Sequence, residues 1–172
     1  MPQLPQTVRI IHFDDEVNAV CSISNSLLAL YQTHRGSWIC DSEIDYTNWV
    51  EGFVIRPPGK NNVKVVYTLT EDEEYCKKLL SAERGSLDLA FFDLMRQGKK
   101  GIEAIGSKLY EKAKEVGFED ERLFILTGFP GLFDQFFPNI TIPETRKLLK
   151  PTSPMDIARR IMTLLPSDVH ID

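Results

Sequence analysis

Cysteine is scarce in this chain. Cys21, Cys40 and Cys76 are the only three in 172 residues, and they lie far apart. Such a set makes neither a disulfide framework nor a Cys-x-x-Cys zinc pattern, so small buried thiols in a reducing compartment are expected. Long hydrophobic runs are absent too: nothing approaches the ~18–20 apolar residues of a membrane-spanning helix. The first seven residues lack the basic start and apolar stretch of a signal peptide. A soluble, cytoplasmic protein is expected. Basic charge is also in deficit, with 20 Lys and Arg against 25 Asp and Glu and a net charge of −5. That balance argues against a nucleic-acid-binding module, which needs a basic face. No internal repeat or low-complexity segment is evident.

What the chain does have is strand and helix periods in alternation. Val8-Arg9-Ile10-Ile11-His12-Phe13 predicts a first strand, which runs into the acidic triplet Asp14-Asp15-Glu16. Val17, Val20, Ile23, Leu27 and Leu30 then fall on one helical stripe, closed near His34, Arg35 and Gly36. Val63-Lys64-Val65-Val66-Tyr67-Thr68-Leu69 predicts a second strand. Thr70 and Glu73 read as a capping box opening a helix through Tyr75, Leu79 and Leu80. Leu87-Asp88-Leu89-Ala90-Phe91-Phe92-Asp93-Leu94-Met95 is apolar on both alternating faces and predicts a strand buried on both sides. Residues 96–101 predict a polar loop. Ile102, Ile105, Leu109, Ala113 and Val116 mark a helix that Gly117 ends. Residues 122–127 predict a fourth strand and residues 146–150 a fifth. Ser153-Pro154 supplies the N-cap and first position of a last helix, with Ile157, Ile161 and Leu164 on its buried face.

This alternation means an α/β fold: a parallel sheet with helices on both faces, joined by right-handed crossovers. The expectation is five parallel strands in a single domain over residues 1–172. Residues 35–62 interrupt the pattern. They hold Trp38, Trp49, Tyr46 and Phe53, too apolar a set for a disordered linker. A packed insertion or a partner-binding face fits them, with Val50–Arg56 pairing back against the next strand as a hairpin. Polar residues gather at the strand ends: Asp14 and Asp15, Asp93, Thr127 and Lys150. In open parallel sheets ligands bind beyond those carboxyl ends. Each residue alone has a bland explanation as a turn or cap, but their common placement points to a site.

Phe13-Asp14-Asp15-Glu16, Phe92-Asp93-Leu94-Met95 with Gly101 eight residues past the aspartate, Leu126-Thr127-Gly128 and Lys150-Pro151 occur in that order at strand ends. Over residues 8–165 the chain resembles the receiver domain of bacterial response regulators, the CheY-like family, which implies a flavodoxin-like sheet in the order 2-1-3-4-5, with strand two at an edge that Val50–Arg56 would cover. The resemblance implies that Asp93 accepts a phosphoryl group. It implies that Asp15, Asp93 and the Met95 backbone carbonyl ligate Mg²⁺, with Asp14 assisting, and that Thr127 and Lys150 contact the phosphoryl oxygens. A histidine kinase or phosphotransfer protein would be the donor and an unidentified protein the downstream partner. Homodimerisation is one form the output could take; no direct contact with nucleic acid or membrane is implied. Two positions depart from the family pattern. Gln97 stands where members usually carry Pro, and Lys147 where they often carry the Tyr or Phe that reports the switch.

The chemistry of these residues supports such roles independently. A carboxylate attacks a dianionic phosphoryl group poorly unless charge is neutralised. Mg²⁺ is a hard cation that takes one or two carboxylates plus phosphate oxygens, and Lys150 adds a mobile point charge. An aspartyl phosphate adds charge and strong acceptors that shift nearby loops between two arrangements. The expected function is a stand-alone two-component switch, not a turnover enzyme, since only residues 166–172 follow the last helix. One alternative is a degenerate receiver that binds partners without phosphorylation. Another is an aspartate-nucleophile phosphatase of the haloacid-dehalogenase type, but its early Asp-x-Asp motif is not matched by Asp93-Leu94-Met95.

Overall fold

The computed structural model describes residues 6–14, 26, 39–45, 50–56, 63–82, 87–98, 101–137, 142–150 and 152–163. Nine strands are found among them: β1 (Gln6–Phe13), β2 (Ile39–Asp45), β3 (Val50–Arg56), β4 (Val63–Thr70), β5 (Leu89–Asp93), β6 (Arg96–Gly98), β7 (Gly101–Glu103), β8 (Leu123–Thr127) and β9 (Lys147–Leu149). The helices are α1 (Glu73–Ala82), α2 (Ile105–Glu115), the single turn α3 (Phe133–Phe136) and α4 (Pro154–Met162). Seven strands form one sheet in the order β2-β3-β4-β1-β5-β8-β9, and β6 and β7 form a separate hairpin. The fold is α/β with a five-stranded all-parallel portion, compatible with a flavodoxin-like architecture. Numbered along the whole chain the strands do not follow the expected order 2-1-3-4-5, although the five expected strands, here β1, β4, β5, β8 and β9, lie side by side as β4-β1-β5-β8-β9. Residues 35–62 contribute two strands and the hairpin two more, which shifts the numbering.

By its contacts the chain divides into two units: Met1–Ile10, Glu16–Leu69 and Ser153–Asp172 in one, Ile11–Asp15 and Thr70–Thr152 in the other. In the first, β2 pairs antiparallel with β3, Ile39 opposite Arg56 and Asp45 opposite Val50. β3 in turn pairs antiparallel with β4, Val50 opposite Thr68 and Ile55 opposite Val63. The antiparallel strand expected at Val50–Arg56 is present, with a second beyond it. The residues of β2 show no clean alternation of apolar and polar types, which is why the sequence period did not reveal it. α4 begins as expected: the Ser153 hydroxyl accepts from the Asp156 N–H at 3.1 Å, and Pro154 is the first helical residue. Of its expected inner face, Ile157 and Ile161 are buried, and Leu164 lies outside the described residues. Of the helix expected after Asp15, only Ser26 is described, and it is helical. Trp38, Tyr46 and Trp49 are likewise not among the described residues.

The second unit holds a core on one sheet face, built from Ile11, Phe13, Leu80, Phe92, Leu109 and Ile125 among others. On the alternate positions Phe91 stacks on Phe124, ring centroids 5.1 Å apart. Both β5 and β8 are buried at all five positions, the expected signature of strands covered on both faces. Three local expectations are corrected. α1 is capped by Asp72, whose carboxylate accepts from the Glu74 and Tyr75 N–H groups at 2.9 and 3.0 Å. Thr70 instead ends β4, and its hydroxyl accepts from the Asp72 N–H. Residues 96–101 are not a plain loop: Arg96 to Gly98 pairs with Gly101 to Glu103. Ile102 therefore belongs to a hairpin, two-thirds exposed at 66%, and α2 starts at Ile105. Gly101 has φ +119°, a turn conformation that other residues adopt only with strain. No helix among the described residues is long and apolar enough to cross a membrane.

Candidate functional site

Parallel registry brings the site together within the second unit. Asp93 is the last residue of β5 and lies opposite Leu126 of β8. Thr127 of β8 lies opposite Leu149 of β9. The ladder continues past both strand ends: Leu94 donates to Leu126 O at 2.8 Å, and Lys150 donates to Thr127 O at 2.9 Å. Asp14 follows β1 and is tied to the chain by its N–H to Thr70 O at 3.1 Å. Residues far apart in sequence thus emerge at one place because their strands end in step.

The side chains meet there. Lys150 Nζ donates to Asp14 Oδ1 and to Asp93 Oδ2, each at 3.0 Å, and lies 3.0 Å from Asp14 Oδ2. These groups are largely withdrawn from water, with side-chain exposures of 16% for Lys150, 3% for Asp14 and 7% for Asp93. Burial pushes the Asp93 acid up from 3.8 to about 6. The Asp14 charge adds to that push, while Lys150 and a backbone hydrogen bond from Met95 oppose it. Burial works against the Lys150 ammonium, but the charge and hydrogen bonds of the two carboxylates outweigh it and hold its pKa above the usual lysine value. Two buried carboxylates therefore share one ammonium.

Thr127 is buried at the end of β8, and its hydroxyl oxygen accepts from the Phe129 N–H at 3.0 Å. That contact turns the chain sharply after the strand and leaves the hydroxyl hydrogen as a donor for another acceptor. Asp15 lies outside the described residues. Met95 is half-buried just past Asp93. Among the described residues no group of three or more His, Cys, Asp or Glu side chains is arranged to hold a metal ion. The donor chemistry nonetheless fits a hard cation: Asp14 and Asp93 present carboxylate oxygens to one positive centre, and the raised acid of Asp93 marks charge that a divalent ion would neutralise.

Two site residues went unnoticed in the sequence. Gly106 sits in the first turn of α2, and a Cβ there would lie 2.2 Å from Asp93 O and 2.7 Å from Asp93 C. Only a glycine lets the helix start rest on the backbone of Asp93, where Gly106 N also donates to Leu94 O at 3.3 Å. Its sequence signal was a glycine inside a helical pattern, which costs about 1 kcal/mol against alanine and so asks for a reason. His12 is the other. It is 1% exposed, and its Nε2 lies 3.4 Å from Asp14 Oδ2. Its signal was an imidazole on the same strand face as the buried Val8 and Ile10.

No family model matches the chain, and no curated protein matches it. The reading of the site accordingly rests on its own residues.

Proposed function

We propose that this protein is a phospho-accepting switch of the receiver type, with Asp93 as acceptor. The observation that carries the proposal is Lys150 Nζ at 3.0 Å from both Asp14 and Asp93, carboxylates 136 and 57 residues away in sequence. A pure scaffold gains nothing from a buried, imperfectly neutralised carboxylate pair, because desolvation of its charges opposes folding. With its pKa raised only to about 6, Asp93 is mostly ionised at neutral pH and able to act as a nucleophile.

In the reaction a carboxylate oxygen of Asp93 forms a bond to phosphorus while the bond from phosphorus to the donor's imidazole nitrogen breaks. The electron pair stays with the leaving imidazole. Lys150 stabilises charge on the transferred oxygens and the Thr127 hydroxyl offers a further hydrogen bond; catalysis is positioning and electrostatics. Asp93, Asp15 and the Met95 carbonyl would hold Mg²⁺, with Asp14 assisting, as the receiver resemblance implies. When bound, the ion supplies neutralising charge at the phosphoryl oxygens. The donor would be a phosphohistidine on a kinase or phosphotransfer protein, and the output a change in protein contacts.

One observation bears on how a signal would travel. Lys147, in place of the usual switch aromatic, lies with its Nζ 4.8 Å from the Phe133 ring centroid and forms an ion pair with Glu144. β9 and α3 are therefore linked by a cation–π contact where an aromatic rotamer would otherwise serve. The proposal is tested by incubating the protein with acetyl phosphate and Mg²⁺ and weighing it intact. Wild type should gain one phosphate, lost on chelation before mixing, and Asp93→Asn should gain none. Equal labelling of the two proteins rejects Asp93 as acceptor, and no labelling of either rejects the phospho-acceptor reading.

A further inference from the structure

We propose that the outer edge of β2 is a docking site for an extended basic segment of another protein, one with Lys or Arg at every second position, which joins the sheet as a further strand. The inference concerns residues 39–45 and stands independently of the phospho-acceptor reading above.

These residues belong to the stretch that interrupts the alternation of strand and helix, and the proposed switch makes no use of them. β2 is the end strand of the seven-stranded sheet. Its inner edge pairs with β3 without a break, from Ile39 opposite Arg56 to Asp45 opposite Val50. Among the described residues nothing pairs with its outer edge. Backbone N–H and C=O groups of an end strand face outward at alternate residues, so such an edge is a template for another chain. Proteins blunt their edges with very short strands, proline, bulges or charge. β2 runs for seven residues and contains no proline, and its unbroken register leaves no bulge. Charge alone remains, and all of it is negative.

Asp41, Glu43 and Asp45 fall at every second position of β2, which places them on one face of the sheet. Opposite them on β3 stand Val54, Gly52 and Val50, none of which carries charge. The nearest cations in register are Arg56, opposite Ile39, and Lys64, opposite Val54 and so two strand spacings, about 10 Å, from Asp41. The charge pattern decides the occupant. A second copy pairing antiparallel over the full strand sets Asp41 against Glu43 on both sides of the two-fold axis. Sliding it by two residues sets Glu43 against itself and Asp41 against Asp45. Like charges directly opposite are destabilising, whereas a basic strand on this edge meets each acid with a cation. Main-chain hydrogen bonds hold the segment, and the alternating charge selects it.

The test uses the full chain and fluorescent peptides as long as β2. One alternates Lys and Val, one alternates Glu and Val, and one is the Lys–Val peptide N-methylated throughout, which removes its donors and keeps its charge. By anisotropy the Lys–Val peptide should bind, more weakly as NaCl is raised, and the other two should not. Amide hydrogen exchange should slow in residues 39–45 when it is bound. Replacing Asp41→Lys and Glu43→Lys together should weaken binding about tenfold or more, since two favourable cross-strand pairs become repulsive. No binding of the Lys–Val peptide to wild type overturns the proposal. Equal binding of the methylated peptide does so too, because charge then acts without strand addition. Protection confined to other residues, or unchanged affinity in the double variant, places the peptide elsewhere and is equally fatal. A wild-type dimer protected at residues 39–45 without peptide would give the edge to a second copy and end the idea. Should the double variant not fold, the peptide series on wild type decides by itself.

Discussion

Asp93 carries opposing demands at the scale of single residues. It must be ionised to attack phosphorus, yet burial beside Asp14 raises its acid from 3.8 to about 6. The consequence for stability has a definite sign. The folded state holds this proton more tightly than the unfolded chain, so the contribution of Asp93 is most favourable below about pH 4 and is lost as pH rises to about 6. Asp93→Asn should therefore be more stable than wild type at neutral pH without divalent cations, by at most about 3 kcal/mol. Urea unfolding of both proteins across that window checks this; a difference that does not grow with pH contradicts it. Lys150 is the complementary case. Lys150→Met leaves two buried carboxylates without their cation, which should cost about 3 kcal/mol at neutral pH. The cost should shrink in acid as those carboxylates take up protons. A pH-independent loss on denaturation would mean that Lys150 acts by packing alone.

Secondary-structure elements matter here mainly through where they stop. β5, β8 and β9 end in step, and α2 starts against the last residue of β5. The tightest point is Gly106, where a methyl group would lie 2.2 Å from Asp93 O. Gly106→Ala gains helix propensity in isolation but must push α2 away from Asp93, for a net loss of about 1–3 kcal/mol. It should also slow phosphorylation of Asp93 by acetyl phosphate. Ser153→Ala is a useful contrast, since it removes only the cap of α4 and should cost about 1 kcal/mol with the phosphorylation rate unchanged. Equal stability of Gly106→Ala and wild type would show that the approach of α2 is not tight. The hairpin β6–β7 was illegible in the sequence for a related reason. Ile102 continues the apolar stripe of α2 in register, so periodicity alone extends the helix through it, whereas the pairing of Gly98 with Gly101 diverts the backbone before the helix begins.

For the molecule as a whole the proposed site predicts linkage to a divalent cation. Anything that binds the folded state alone stabilises it, by about 1.4 kcal/mol at ten times its Kd. Mg²⁺ should raise the Tm of wild type beyond the effect of matched ionic strength in NaCl, which accounts for screening of the net charge of −5. It should raise that of Asp93→Asn far less. Equal shifts by thermal denaturation in both proteins would mean that the ion binds elsewhere.

What the sequence determined by itself is the class of fold and the roster of polar residues at strand ends. Both depend on local patterns: runs apolar on both faces at Leu89–Asp93 and Leu123–Thr127 demand cover on both sides, and a carboxylate or hydroxyl closing such a run marks its end. The extra strand β2 and the hairpin β6–β7 were decided by pairing between segments, which no local period records. The same holds for the site. That Lys150 reaches Asp14 and Asp93 together and that Gly106 rests on Asp93 are consequences of how the strands align and where they end. A distance between side chains is fixed only when backbone hydrogen bonds align one strand end with the next.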